Sequence, residues 1–378
     1  AFTLAMPATT LALALAGPGA VGSEFLRQLA AAAPSLRARG LTVALAAVAD
    51  SRRLALGPTL ALDGWRHALE TESVPADMKA LTEALIQGPR PAVLVDCTAG
   101  EAVPDAYAPL LAAGVSVVTA NKCGVAGDAE RWAEMAAAAR GEGGGALRVE
   151  AACGAGLPIL STLADLAATG DVVARIEGVF SGTFSALFGS LAPPGGRSAT
   201  PPPALSAAVR AARDAGFTEP DPRDDLSGTD VARKAVILAR AAGLDLSLAD
   251  VAVESLVPPA LADPTLSPDG FIDGLAATGA DAAFAARAKD AAANGAVLRY
   301  VGAVDVAAGT ASAGIKSFPL SHPLAGVAGG DNVFVFETAR YSAAHPLLVR
   351  GPGAGAAVTA AGLFGDVLAV ARAAGAQV

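Results

Sequence analysis

Gly17-Pro18-Gly19-Ala20-Val21-Gly22 joins a short apolar run, Leu11–Ala16, to a helical pattern over Gly19–Ala33 that sets Val21, Phe25, Leu26 and Leu29 on one face. Glycines at the first, third and sixth places of a strand-to-helix turn each have a physical use. Gly17 permits the tight turn, Gly19 lets a pyrophosphate approach the backbone, and Gly22 lets the helix lie close to the strand. The new helix adds N–H groups and a partial positive charge that suit phosphate. With 42 glycines in the chain, such a spacing also arises by chance, and a plain structural turn is the competing reading.

The pattern that follows makes the turn part of a larger design. Thr42–Ala49 is a second β-like run ending at Asp50, and Glu72–Gln87 reads as a helix with Thr71 as N-cap. Ala92–Asp96 is a buried type of strand, Glu101–Ala113 a helix closed by Gly114, and Val115–Thr119 the next strand. Asp128–Arg140 and Ala146–Ala151 repeat the alternation. Such βαβ repetition predicts an α/β fold, a parallel sheet with helices on both faces.

The middle is different. Ile159–Ala168 is a helix pattern, Arg175–Phe180 a strand, and Ala192–Pro203 a Pro/Gly-rich loop. Ala204–Ala215 and Val231–Ala242 read as helices, with strands at Ala296–Ala303 and Asn332–Glu337. The end carries a second glycine cluster, Gly351–Gly355, and a helix over about Val358–Ala374.

Composition removes several function classes. Twenty-seven Lys+Arg against 36 Asp+Glu give a net charge of −9, opposite to the basic footprint of a nucleic-acid binder. No uninterrupted apolar stretch reaches the ~20 residues of a membrane-spanning helix, so no membrane partner is expected. Cys97, Cys123 and Cys153 form neither a CxxC pair nor a disulfide framework, which fits a reducing cytoplasm. His67, His322 and His345 share no metal-ligand spacing. Acid–base chemistry therefore falls to Lys, Asp and Glu.

Four segments can carry that chemistry. The glycine loop, from Gly17 through Gly19, Ala20 and Val21 to Gly22, is the first. Asp50, at the end of its strand, suits the ribose 2′-hydroxyl of NAD, whereas Arg52 and Arg53 suit the 2′-phosphate of NADP, so the two cofactors stay open. In Asp96-Cys97-Thr98-Ala99-Gly100, Thr98 falls at the carboxyl edge of the sheet, where a cofactor contact and a bland turn are both reasonable. Thr119-Ala120-Asn121-Lys122 sets Lys122 at that same edge, although a lone lysine there is ordinarily a surface charge. The fourth runs from Phe217 to Lys234 as FTEPDPRDDLSGTDVARK. Asp230 and Lys234 share a helix face, which by itself describes a surface ion pair. The apolar Val236-Ile237-Leu238 that follows predicts burial instead, and a buried lysine needs a partner or a function. Glu219, Asp230 and Lys234 together can bind an amino group and move a proton at a carbonyl.

LAGPGAVGSEFL, VDCTAG, GVSVVTANK, EAACGAGLPILSTLADL, RIEGVFSGTFSALF, FTEPDPRDDLSGTDVARK and GPGAGAAVTAAG occur in one order over most of the chain. In this the chain resembles homoserine dehydrogenase, and FTEPDPRDDLSGTDVARK is the most specific of the segments. The resemblance implies a Rossmann-type parallel-sheet nucleotide domain plus an α+β substrate-binding and dimerisation domain. The first spans 1–151 and is completed by about 338–378; the second spans 152–337. It implies NAD(P)-linked interconversion of L-aspartate 4-semialdehyde and L-homoserine by a cytoplasmic homodimer. Lys122 and Lys234 match the family's active-site lysines, and Glu219 and Asp230 its substrate-binding acids. Gly355 is expected near the cofactor. Glu150, Cys153, Ala155 and Leu157 match a loop whose backbone carbonyls hold a monovalent cation, typically sodium; otherwise this is a Gly-rich turn. Pro18 departs from the usual small residue of the glycine loop and removes one N–H.

The rival readings are another Rossmann oxidoreductase acting on a small amino acid or sugar, and an NAD(P)-sensing protein without catalysis. The fourth segment disfavours the first rival. Retention of Lys122, Glu219, Asp230 and Lys234 together disfavours the second.

Overall fold

The computed structural model describes residues 9–193 and 202–378. The expected loop Ala192–Pro203 falls mainly on residues 194–201, outside the described residues. The chain divides into two compact units, one of residues up to Pro158 together with Gly355–Val378, the other Ile159–Ala354.

The first unit is built on β1 (Thr9–Ala16), β2 (Leu41–Ala49), β3 (Arg53–Leu60), β4 (Val74–Pro75), β5 (Ala92–Asp96), β6 (Ser116–Thr119) and β7 (Leu147–Arg148), in the order β4-β3-β2-β1-β5-β6-β7. β2, β1, β5, β6 and β7 run parallel, as the alternation predicts. The side-chain period of two explains why β1 is apolar at every position from Leu11 to Ala16. Leu11, Leu13 and Leu15 join one core with Phe25, Leu29, Leu363 and Val367, under the Ala20–Ala38 and Ala356–Ala373 helices. Ala12, Ala14 and Ala16 face the opposite core, with Leu94, Tyr107 and Leu110. The Ala356–Ala373 helix is long and apolar enough to cross a membrane by length and composition. Here its apolar residues belong to the core beside β1.

Several sequence expectations change in this unit. Of the helix expected over Glu72–Gln87 only Met78–Gln87 is helical, and a separate helix, Trp65–Thr71, precedes it. Thr71 ends the first of them, and the N-cap of the second is Asp77, which accepts from the Lys79 and Ala80 N–H groups. Pro75, which cannot donate to a helix, lies in β4 between them. The helix expected from Glu101 begins as a 3₁₀ turn at Pro104 and becomes α-helical only over Tyr107–Ala112. The antiparallel strands β3 and β4 were not expected at all.

The second unit contains β8 (Val173–Val179), β9 (Val251–Val253), β10 (Ala296–Asp305), β11 (Thr310–Pro319), β12 (Asp331–Thr338) and β13 (Leu347–Pro352), ordered β13-β12-β8-β10-β11-β9. All neighbours are antiparallel except β11 and β9. The Gly182–Leu191 and Thr229–Ala241 helices pack on this sheet. Phe184 stacks on Tyr300 and Phe180 on Phe334, with ring centroids 3.8 and 4.6 Å apart. Against the expected return to the first unit at about 338, β13 pairs with β12, and the first unit resumes only at Gly355.

Candidate functional site

In the first unit the glycine loop has the geometry its sequence calls for. Gly17 takes φ +83°, and a Cβ there would lie 2.9 Å from the backbone of Cys97 and Thr98. A Cβ on Gly22 would stand 2.3 Å from the Gly17 carbonyl oxygen, so helix and loop touch where side chains are absent. Gly19 is different: nothing lies within 4 Å of the space its Cβ would take. It occupies the N-cap of the Ala20–Ala38 helix, with no side chain capping the first turn and no acid within it. Ala20 and Val21 open that helix. An uncapped helix start bordered by open space over a glycine fits a diphosphate.

The neighbouring side chains are arranged as follows. Asp50 accepts from the backbone N–H groups of Arg52 and Arg53 and from the Arg53 guanidinium. Burial opposes its charge, but these bonds prevail and hold the carboxyl below its ordinary value. Arg53 is thus engaged by Asp50, while both arginines are exposed. Thr98 donates its backbone N–H to Asp96, and its hydroxyl oxygen accepts from the Asn121 amide. Asn121 caps the Lys122–Ala126 helix through the Cys123 N–H, which sets half-buried Lys122 at its first position. Asp96, fully buried, also accepts from the Tyr107 hydroxyl at 2.5 Å. Burial, with the Asp96 charge, pushes the Tyr107 hydroxyl well above its usual range. Gly355 takes φ +114° at the N-cap of the Ala356–Ala373 helix.

The segment Glu150–Leu157, also in the first unit, offers backbone oxygens. A 3₁₀ turn at Glu150–Ala152 leads to two successive left-handed residues, Gly154 at φ +86° and Ala155 at +57°. Ala155 is the one non-glycine residue with positive φ among the described residues, a conformation that alanine adopts only where its surroundings hold it. The surroundings are the Ala356–Ala373 helix: a Cβ on Gly362 would approach the Ala155 carbonyl to 2.6 Å, and one on Gly156 the Val358 carbonyl to 2.3 Å. The Glu150 carbonyl accepts the Cys153 N–H. Such a turned run of carbonyls has the chemistry to hold a hard monovalent ion.

The second unit brings the acids and the lysine of the long motif together. Asp221 caps the Pro222–Leu226 helix with Pro222 in the first turn, where its missing N–H is harmless. Arg223 clamps this turn through Asp221 and the Leu266 carbonyl. Asp225 then accepts the Glu219 backbone N–H and the Thr183 hydroxyl, at 2.8 and 2.7 Å. Burial, and secondarily the charges of Glu219 and Asp230, raise the Asp225 carboxyl above its ordinary value. Gly228, at φ +75°, begins the Thr229–Ala241 helix, and a Cβ there would lie 2.0 Å from the Tyr300 hydroxyl. Lys234, only 6% exposed, donates to Asp230 at 2.8 Å and to the Phe180 carbonyl at 2.7 Å. Its expected burial is therefore found, with a partner of each kind, charged and neutral.

Sequence reasoning passed over Asp225, Thr183 and the Phe180 carbonyl. Asp225 stood within the quoted motif, where adjacent Asp224 obscured which acid turns inward. A main-chain acceptor just beyond the end of β8, far from Lys234 in the sequence, carries no sequence signal.

Residues 158–368 match the family model described as homoserine dehydrogenase, and residues 17–149 that of the homoserine dehydrogenase NAD-binding domain. A homoserine dehydrogenase of Emericella nidulans is 43% identical, over 95% of this chain and 97% of the relative. A chloroplastic bifunctional aspartokinase/homoserine dehydrogenase of Zea mays is 42% identical over 95% of this chain, which spans 38% of that relative's length. A crystal structure of a Candida auris protein of unknown function superposes with a TM-score of 0.86 at 36% identity, covering 96% of this chain and 98% of that one.

Proposed function

The chain belongs to the homoserine dehydrogenase family of oxidoreductases, and on that premise we propose that it interconverts L-aspartate 4-semialdehyde and L-homoserine with NAD(P). The observation that carries this reading is the buried Lys234 ammonium, held by Asp230 and the Phe180 carbonyl.

When bound, NAD(P)H would supply the hydride for reduction of the aldehyde, and NAD(P)+ would accept it in the reverse direction. The chain's own residues do the rest. Gly17, Gly19 and Gly22, with the helix start at Ala20 and Val21, cradle the diphosphate. Thr98 and Gly355 flank it, and Asp50 or Arg52 meets the ribose. Glu219 takes the substrate ammonium, with the raised Asp225 carboxyl fixing the backbone at Glu219. Asp230 orients substrate and Lys234. As the aldehyde carbon gains hydride, its oxygen gains an electron pair, and Lys234 donates a proton to it; in the reverse direction Lys234 takes that proton back. A cation beside the developing alkoxide stabilises the transition state more than the ground state. Lys122 fills the role of the second active-site lysine. The carbonyls of Glu150, Cys153, Ala155 and Leu157 would hold a monovalent cation, sodium by preference.

We further assign it to the cytoplasm, in keeping with three scattered cysteines that form no CxxC pair, and to a homodimer joined through the second unit. Light scattering on the purified chain tests the dimer. The charge of −9 and the buried apolar face of the Ala356–Ala373 helix support the absence of nucleic-acid and membrane partners.

The test of the activity is homoserine oxidation followed by nicotinamide absorbance, with NAD and NADP in parallel. Lys234→Ala is expected to lose at least ~100-fold in turnover, the scale of general acid catalysis, with NADPH affinity unchanged. A loss confined to cofactor affinity would remove Lys234 from the proton step.

A further inference from the structure

The carbonyl that anchors Lys234 has a second donor. Asn332 Nδ2 donates to the Phe180 oxygen at 3.0 Å, while Lys234 Nζ donates to the same oxygen at 2.7 Å. The register explains the meeting: β12 pairs with β8 so that Val333 faces Val179, which brings Asn332 beside Phe180. The Asn332 residue is closed to solvent at 0% exposure. Its Oδ1 has no hydrogen-bond partner among the described residues. The facing carbonyl admits only a donor, and this fixes which way the amide points.

An amide is an expensive choice for this place. A strand position between Asp331 and the core residues Val333, Phe334 and Val335 would be filled more stably by an aliphatic side chain, since a buried, unpartnered amide oxygen is destabilising. The site is also closed against rearrangement: a Cβ on Gly353 would fall 1.9 Å from Asn332 Nδ2. A destabilising group held this tightly points to a use beyond packing. What its N–H can do here is fix the direction of the Phe180 carbonyl and occupy part of its acceptor capacity. Lys234 then has a fixed anchor that binds its ammonium less strongly than an undivided carbonyl would.

We propose that Asn332 is a positioning residue for Lys234, acting through the Phe180 carbonyl on the proton step; the proposal rests on Lys234 being the proton donor. It names a function for the amide that does not require Asn332 to touch substrate or cofactor.

The experiment compares Asn332→Leu and Asn332→Asp with wild type in full kcat and KM profiles against pH. NADPH affinity is measured alongside by fluorescence, and fold by circular dichroism. Asn332→Leu removes the donor at every pH and is expected to lower kcat by about 10- to 100-fold, the scale of a misplaced catalytic group, with NADPH affinity unchanged. Asn332→Asp retains an O–H donor only while protonated. Its kcat should therefore stay near wild type at low pH and fall along an added alkaline limb, a signature that a packing role would not produce. Both variants keeping the wild-type kcat and pH profile overturns the proposal. Loss of fold in both also overturns it, because Asn332 then serves the sheet and not Lys234. Lys234→Ala runs in the same assay: if that variant keeps its turnover, the assignment of Lys234 itself fails. If Lys234→Ala is inactive and both Asn332 variants are normal, only the role of Asn332 fails.

Discussion

Asp96 Oδ2 accepts a 3.1 Å hydrogen bond from Asn121 Nδ2, and neither residue is more than 1% exposed. The pair ties two loops at the carboxyl edge of the first sheet. Asp96 also holds the Thr98 N–H, while Asn121 reaches the Thr98 hydroxyl, the Gly100 carbonyl and the Cys123 N–H. One asparagine thus fixes the loop after β5 and caps the helix on which Lys122 stands.

Asn121→Ala removes that cap and leaves the Asp96 carboxylate with a donor fewer in a closed site. Loss of an N-cap and exposure of an unsatisfied buried partner each cost on the order of 1–2 kcal/mol. The variant is expected to lower unfolding free energy by about 2–3 kcal/mol in urea titration. A midpoint equal to that of wild type would show that the two loops are held by other means.

Gly19 and Gly22 look equivalent in the motif and should separate on substitution. Gly22→Ala drives a Cβ to 2.3 Å from the Gly17 carbonyl, a backbone atom that cannot swing away. It should destabilise the unit as well as weaken NAD(P)H binding, with a cost of about 1–3 kcal/mol for overpacking. Gly19→Ala meets nothing within 4 Å and needs no left-handed backbone, since φ there is −72°. It should leave the melting temperature unchanged while raising the NADPH Kd, because the methyl stands where the backbone must approach phosphate. Equal effects of the two substitutions on melting temperature and on Kd would contradict this division.

The legibility of the sequence followed the range of the interactions involved. β1 and the Ala20–Ala38 helix were readable because the apolar run, the glycines and the helical spacing of Phe25 and Leu29 lie within one local stretch. Burial of Lys234 was readable from the Val236-Ile237-Leu238 turn of its own helix. β11 and β13 were not, because Thr310–Pro319 and Leu347–Pro352 alternate weakly and owe their form to ladders with β10 and β12. Tertiary partners also decided the site. Which of Asp224 and Asp225 turns inward depends on Thr183, some forty positions earlier, through a bond that pattern alone does not encode. Asp50 was readable as the acid ending β2, but not as the partner of Arg53, because the β2–β3 hairpin that joins them lacked a glycine signal.

Asp225 makes the acid cluster of the second unit sensitive to pH. Its carboxyl is raised by burial first and by the Glu219 and Asp230 charges next, against the opposing bonds from Thr183 and the Glu219 N–H. Below about pH 4 the folded and unfolded chains both carry this proton. Above that, the unfolded chain releases it while the folded chain keeps it, so the folded state binds more protons and stability falls as pH rises. The contribution is lost once pH has passed through the raised folded value, where both states are ionised. The amide introduced by Asp225→Asn cannot titrate, yet its oxygen still accepts the Thr183 hydroxyl. The urea midpoint of Asp225→Asn, measured relative to wild type, should therefore climb as pH rises from about 4 and then level off. A relative midpoint that stays constant, or that falls over this interval, would mean that the Thr183 and Glu219 bonds outweigh burial and that Asp225 is an ordinary ionised acid.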